Sequence, residues 1–376
     1  MRFLLRRFQR LVIVMAAVTF VTFILVNVLP GDVAYEMAGM DASEAEVAEI
    51  REEIGLNRPL PIRYLEWVGG VFTGDWGRSF INEEDVWHAI TQRFPVSIEL
   101  MLLAQVMALA LAVPMGMISA YRPDSRADRI IAGVAFASVS MPSFMTGLLL
   151  IFFFSLTLGW LPATGYEPLS AGLWANLKPM ILPALSLALV EWTVLMRTLR
   201  AEMIGVLQED YISLARAKGM SNARILWGHA LRPSSFTMLT ILGLQVARLM
   251  GGTIIIEQIF GIPGVGRLLI HAVYTRDFIV IQGCVTFFAL AFVLVNFAVD
   301  IAYAWLDPRV RQGGKAHGAD RYDRGGLRGG RAAGGSNAGG NPEPVPLPAL
   351  PCGRGVRCRA SGWGKLKPPG LSNAFP

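Results

Sequence analysis

The run LMLLAQVMALALAVPMGMISAY, from Leu100 to Tyr121, carries no charged side chain in 22 residues. A helix needs roughly 20 apolar residues to cross a hydrocarbon core about 30 Å thick, so the run reads as a membrane span. Uncharged runs of similar or greater length occupy Leu11–Pro30, Ile130–Tyr166 and Phe278–Val299. The second of these exceeds one crossing, and Gly159, Pro162 and Gly165 predict that its helix stops near Leu158 and a loop follows. Two further apolar segments hold isolated charges: Pro179–Met196 contains Glu191, and Pro233–Ile256 contains Arg248. The expected fold is an all-α integral membrane protein of about six transmembrane helices, with Pro114, Pro142 and Pro183 as candidate kinks. Leu11–Leu29 has the basic start of a signal peptide. It is longer than a usual apolar signal core, shows no small-residue cleavage site and precedes five more spans, so it reads as a retained helix.

Composition agrees with this reading. Of 376 residues, 53% are hydrophobic and only 16% charged, against about 25% charged in soluble domains, and the mean hydropathy is +0.46. An ordinary soluble enzyme is not expected. Cys284, Cys352 and Cys358 cannot build a disulfide framework, and four scattered histidines suggest no metal site. The net charge of +6 is carried by the C-terminal stretch: residues 312–376 hold ten Lys/Arg and three Asp/Glu, leaving the first 311 residues at −1.

The Lys/Arg bias of the short loops orients the chain. Arg2, Arg6, Arg7 and Arg10 lie in a basic N-terminus, residues 1–10, before the first helix at 11–29. Arg122, Arg126 and Arg129 follow the second helix, and Arg197, Arg200, Arg216, Lys218, Arg224 and Arg232 follow the fourth. The loop 30–95 carries five basic and thirteen acidic residues and is expected outside. Both termini are therefore expected in the cytoplasm. Within the outer loop, Asp41–Leu56 reads as an amphipathic helix with Val47, Ile50 and Ile54 on one side. It either covers the mouth of the membrane domain or offers its acidic face to a partner.

The connection 197–235 is long for neighbouring helices. Inside it, Asp210-Tyr211-Ile212-Ser213-Leu214-Ala215-Arg216-Ala217-Lys218-Gly219 predicts a short helix ended by Gly219 in the left-handed conformation. Ser221 or Asn222 is then placed to cap a second helix running to about Leu231, before Pro233. Tyr211, Leu214, Ala215 and Lys218 share one face by i, i+3, i+4, i+7 spacing. Spacing alone fits an amphipathic connector as well as a docking element.

The loop resembles the coupling loop of bacterial ABC importer permeases. Their general pattern is Glu-Ala-Ala, three residues, Gly, nine residues, Ile-x-Leu-Pro. Aligned on Gly219, the chain matches it at Ala215, Gly219 and Leu231, and departs at Ser213, Leu214, His229 and Arg232. Ala215-Arg216-Ala217-Lys218-Gly219 with His229-Ala230-Leu231-Arg232 is similar to the variant found in dipeptide, oligopeptide and nickel permeases. The same family is suggested by Pro30-Gly31-Asp32, Gly55-Leu56 with Pro59-Leu60, and Gly74-Asp75-Trp76-Gly77-Arg78-Ser79. Further pieces are Gly252 through Glu257, Ile259-Phe260, Pro263-Gly264-Val265-Gly266-Arg267 and Leu306-Asp307-Pro308-Arg309-Val310-Arg311. Together they cover residues 1–311, and residues 96–311 would form the five-helix permease core. The chain resembles the first of the two permeases, the one with a large outward loop.

The resemblance implies a multi-pass subunit in the bacterial inner membrane. Its implied partners are the lipid bilayer, a second permease, two ATPase subunits and an extracytoplasmic solute-binding protein; no nucleic-acid partner is implied. Tyr211, Leu214, Ala215, Arg216, Ala217, Lys218, Gly219, His229 and Leu231 would couple to the ATPases. ATP and magnesium would sit on those ATPases, with no cofactor or metal in this chain. No phosphate-binding Gly-x-x-x-x-Gly-Lys-Ser/Thr loop is present: Gly314-Lys315 and Gly364-Lys365 are followed by Ala316 and Leu366. The chain is expected to be a transport subunit and not an enzyme. Peptides, nickel chelates, glutathione and oligosaccharides are all compatible cargoes.

Arg248 and Glu257 are candidate translocation-path residues. An arginine near the bilayer centre costs about 2.5–3.5 kcal/mol on insertion scales and so faces a cavity or a partner. Arg248 is read either as a pore-lining cation that meets a carboxylate, or as a member of a structural pair or a snorkelling side chain. It is expected in the outer half of the membrane, with Glu191 near the cytoplasmic side. The alternative function is a proton-coupled secondary transporter in which Glu191 carries the proton. Residues 312–376 contain 16 Gly and 8 Pro, a low-complexity composition. They are expected to be disordered, and read as a basic tail near anionic lipid, as an Arg-Gly-Gly RNA-binding patch, or as translation in a shifted frame.

Overall fold

The computed structural model describes residues 2–28, 34, 43–53 and 57–306. It is built of helices, and among the described residues the one β-type pairing is an isolated bridge between Arg78 and Asp85. The expectations for Pro30-Gly31-Asp32, Ile54-Gly55-Leu56, Asp307–Arg311 and the stretch 312–376 lie outside the described residues.

Helix α1 (Arg2–Val28) contains the expected first span, with Val12–Ile24 as its described apolar stretch. In the outer loop, α2 (Glu44–Glu53) opens with a reciprocal cap. Ser43 N–H donates to Glu46 Oε2 at 2.8 Å and Glu46 N–H to Ser43 Oγ at 3.3 Å. A further helix, α3 (Leu60–Thr73), lies on α1 through edge contacts of Phe20 and Phe23 with Tyr64. It ends at Gly74, whose φ of 90° is left-handed.

The span read at Leu100–Tyr121 is the second part of a longer helix, α4 (Val86–Tyr121). It starts inside the segment assigned to the outer loop because the Asp85 side chain accepts from His88 N–H, a cap that hydropathy does not register. Pro95 and Pro114 both lie within it. Ala104, Ala108, Ala112, Gly116 and Ala120 recur every four residues along α4 and are buried. Such a stripe of small residues lets another helix come close where lipid supplies no hydrophobic drive. The partner is α7 (Leu173–Val206). At Gly116 an added Cβ would stand 3.2 Å from the Met196 carbonyl.

The segment read as one span from Ile130 to about Leu158 is broken. Helix α5 (Arg126–Ser140) and helix α6 (Ser143–Leu150), which continues as a π-helical stretch Ile151–Thr157, meet at 105°. Proline disfavours helical geometry in the residue before it. Met141 is accordingly extended, and Pro142 becomes the residue before a new helix. The expected kink is a full break.

Helix α8 (Asp210–Ala217) is followed by the short α9 (Asn222–Arg224), a π-helical stretch Ile225–Ala230 and α10 (Leu231–Phe260). Helices α11 (Val265–Tyr274) and α12 (Phe278–Leu306) complete the described chain. Among the described residues three helices are long and apolar enough to cross a membrane, and five if each bent pair is one crossing. Buried side chains of α4 and α7 form two successive cores. One centres on Ala112, Trp192, Leu195 and Leu199, the other on Leu100, Met180, Leu187 and Phe260. A third core joins Trp76, Val86 and Ile90 to Val265, Val280 and Phe287.

Candidate coupling helix and intramembrane ionisable groups

The short helix expected between the fourth and fifth spans is present as α8. Asp210 in its first turn and Arg216 in its last complement the helix dipole. Ile212 and Ala215, three residues apart, point inward and bury themselves against Ile225, with Leu207 and Met220 alongside. Tyr211, Ser213, Leu214, Arg216, Ala217 and Lys218 remain exposed. The face assembled from spacing therefore divides: Ala215 leaves it for the interior, and Tyr211, Leu214 and Lys218 stay outside. Leu214 is 56% exposed.

Gly219 adopts φ 76°, and its N–H donates to Arg216 O at 2.9 Å while Met220 N–H donates to Ala215 O at 3.2 Å. Space is not what requires glycine there, because an added Cβ would meet nothing within 4 Å. The left-handed backbone is the requirement. Ser221, not Asn222, supplies the next cap, accepting from Arg224 N–H at 3.4 Å. The second helix was expected to stop near Leu231. It runs on through a π-helical stretch, Ile225–Ala230, into α10 instead, and Pro233 falls in the first turn of α10, where its missing N–H is tolerated. His229 is half-buried on that stretch, with Nδ1 3.4 Å from Arg224 O, and Leu231 is half-buried against the core.

Arg248 and Glu191 lie together, with Nη2 and Oε2 3.6 Å apart. Their depths were read as different because α7 was taken to end at Met196. It continues to Val206, which sets Glu191 fifteen residues, about 22 Å, from that helix end. The Glu191 side chain is 12% exposed and that of Arg248 59%. The contact is long, and it joins a largely exposed guanidinium to a mostly enclosed carboxyl group. Glu191→Gln keeps the side-chain volume and loses only this long contact, so it should leave assembly intact and uptake near the native rate. A proton-carrying role would instead abolish uptake, and counting substrate accumulated by proteoliposomes distinguishes the two.

Glu257 is fully enclosed. Its Oε1 accepts from the Ser97 hydroxyl at 2.7 Å, and its Oε2 accepts from Arg267 N–H at 3.1 Å. Ser97 Oγ in turn accepts from Val265 N–H at 3.0 Å. The orphan donors at the start of α11 are thus met by a carboxyl from α10 and a hydroxyl from α4. Gly264 and Gly266 leave the room: a Cβ at Gly264 would stand 2.3 Å from Glu257 Oε2. The candidate path residue is placed as a joint between three helices. Ser97, 160 residues away in sequence, was not foreseen, and no local pattern could have found it.

At the same end of the bundle the Gly74–Ser79 segment is anchored to the α11–α12 junction, the Ser79 hydroxyl donating to Asp277. At the opposite end Arg200 of α7 engages Asp128 of α5, its Nη2 2.7 Å from Oδ2. Among the described residues no group of three or more His, Cys, Asp or Glu is arranged to hold a metal.

Two family profiles cover most of the chain. The one described as binding-protein-dependent transport system inner membrane component matches residues 112–312, and its N-terminal companion matches residues 1–101. A Brucella abortus (strain 2308) protein provisionally named a peptide transport system permease is 42% identical over 308 residues, covering 82% of this chain and 98% of its own. The di/tripeptide transport system permease protein DppB of Pseudomonas aeruginosa (strain UCBPP-PA14) is 37% identical, with the same coverage. The oligopeptide transport system permease protein AppB of Bacillus subtilis (strain 168) is 35% identical, covering 82% of this chain and 98% of its own. With its broken spans and its exposed short helix, the chain belongs to the inner-membrane components of binding-protein-dependent transport systems, as a permease of the peptide family of ABC importers.

Proposed function

We propose that this permease imports peptides across a bacterial inner membrane, with α8 as the helix on which partner ATPases act. The observation that carries the reading is the division of α8. Ile212 and Ala215 lock it to the beginning of the next membrane helix, while Tyr211, Leu214, Arg216 and Lys218 stand free to meet another protein. A surface of this kind can be pushed without unfolding what lies behind it.

The peptide cargo is supported by relatives whose printed names are peptide, di/tripeptide and oligopeptide permeases. In this reading the chain is the first permease of a pair, and a second permease, two ATPases carrying ATP and magnesium, and a solute-binding protein complete the machine. Its six spans leave both termini in the cytoplasm. Helix direction supports that topology, since the α4–α5 turn, the end of α7 and α8 gather at one end, and Ser97, Val265 and Asp277 at the other. ATP dimerises the ATPases, α8 follows them, and the membrane helices switch as rigid bodies. The secondary-transporter alternative lacks support, because Glu191 is engaged by Arg248 and family membership supplies ATP as the energy source.

Gly219→Val tests the docking helix. A non-glycine residue in the left-handed region costs about 1–2 kcal/mol, and more when β-branched. The assembled complex should form, yet import from a mixed di-, tri- and oligopeptide pool, read by mass spectrometry, should fall severely. Gly219→Asn, which tolerates that backbone, should retain most import. Normal import by the valine variant, with its ATPases present, would refute the docking role.

A further inference from the structure

We propose that Arg200, Asp128 and Ser119 form a transmission clamp that makes the α4–α5 elbow move as one body with the end of α7. Displacement of α8 then reaches the broken span α5–α6. The proposal rests on α8 being the docking helix.

The clamp joins three elements. Arg200 Nε donates to Asp128 Oδ1 at 2.9 Å and Nη2 to Oδ2 at 2.7 Å, a two-point fork onto one carboxylate. Ser119, in the last turn of α4, donates its hydroxyl to the same carboxylate and lies 3.0 Å from Arg200 Nε. Asp124 N–H, in the elbow, donates to Asp128 Oδ2 at 2.8 Å. Ser119 and Asp128 are 1% and 4% exposed. A forked guanidinium–carboxylate pair resists rotation as well as separation. Arg200 itself is 31% exposed, and withdrawing it would leave the enclosed Asp128 carboxylate without its counter-charge, so the joint is built to travel whole.

The connection to α8 is equally short. Arg200 lies six residues before Val206, where α7 ends, and α8 begins at Asp210. The intervening turn is closed by Leu207 N–H to Met203 O at 2.9 Å, Glu209 N–H to Val206 O at 3.2 Å and Ile212 N–H to Glu209 O at 3.0 Å. Beyond the clamp, α5 is a rod of 15 residues ending at the Met141–Pro142 break. A push on α8 therefore has a continuous hydrogen-bonded route to the more sharply bent of the two broken crossings among the described residues, at 105° against 43°. Glu191 and Arg248, joined by a single contact of 3.6 Å, offer no comparable route.

The test uses the full complex in lipid, with nitroxide labels at Ala127→Cys and Glu202→Cys across the clamp and Cys352→Ser and Cys358→Ser as background. Ala127 and Glu202 are exposed, whereas Cys284 is buried. With Arg200 intact, the distance between the labels should be the same without nucleotide and with trapped ATP. Arg200→Lys keeps the charge and loses the fork. The distance should then broaden with ATP, and the stimulation of ATP hydrolysis by the binding protein should drop about tenfold, with assembly and basal hydrolysis retained. A distance that shifts with ATP in the unsubstituted clamp overturns the proposal, as does Arg200→Lys with native distance and native stimulation. A label at Ser213→Cys reports separately on docking. Should it lie remote from the ATPases in every state, the docking reading fails, and the clamp proposal with it, even if the clamp distance is constant.

Discussion

Glu257→Ala should destabilise the permease by about 2 kcal/mol or more, because each buried donor stripped of its acceptor costs about 1–3 kcal/mol. Two donors lose their partner together: the Ser97 hydroxyl and the N–H group of Arg267. Arg267 lies at the start of α11, where no intrahelical acceptor exists, and the site is enclosed. Glu257→Gln keeps the volume but turns one oxygen into an amide donor, which must face either a hydroxyl or a backbone N–H. Its loss should be intermediate. Thermal unfolding of the purified permease in detergent orders the three proteins: native, Gln, Ala. If Ala equals native, Glu257 is not the joint described here. If stability is unchanged while import collapses, it acts on the path instead.

Gly266→Ala is expected to be at least as damaging by a different route. Its Cβ would stand 2.5 Å from the Ile254 Cα and 2.9 Å from Glu257 Oε2. A backbone atom cannot rotate away, so α10 and α11 must separate. Overpacking of this sort costs about 1–3 kcal/mol, and the separation also stretches the bonds to Glu257. Gly264→Ala meets the carboxyl itself at 2.3 Å and should resemble Glu257→Ala. Gly251→Ala, in α10 with nothing within 4 Å of its Cβ, is the matched control and should be neutral or stabilising. Yield of assembled complex and its unfolding temperature read all three. Equal stability of the Gly266 and Gly251 variants would mean that the helices are not in the contact described.

How much of this was legible in the sequence varies by element. The spans at Leu100–Tyr121 and Phe278–Val299 were, because an uncharged run about 20 residues long has few other uses. The short helix and glycine turn at Asp210–Gly219 were, because helix formers followed by glycine report local backbone preference directly. Helix ends were less legible. Val86 begins α4 through an Asp85 cap, and α7 passes Met196 to Val206 although Arg197, Arg200 and Glu202 are charged. Those charges are tolerated where a helix leaves the lipid and finds partners, as Arg200 does in Asp128. Hydropathy measures the lipid-facing part of a helix, not its full length.

The candidate site divides in the same way. Gly219 was read correctly as a left-handed turn, whereas the face of α8 was not. Helical spacing groups Ala215 with Tyr211, Leu214 and Lys218, and also with Ile212. Only the presence of Ile225 beneath selects the second grouping. Arg248 and Glu191 were noticed as ionisable groups in apolar surroundings, but their mutual approach depends on how far α7 and α10 extend past each other.

What this amino-acid chain determined unaided is everything set by neighbours within a few turns: membrane residence, helical class, the glycine turn and the ARAKG-bearing loop that points to its family. The tertiary structure alone decided which distant groups meet. Ser97 and Glu257, or Asp128 and Arg200, are separated by 160 and 72 residues. Their pairing is set by helix packing and by the buried donors that must be satisfied once packing is complete, neither of which leaves a period in the sequence.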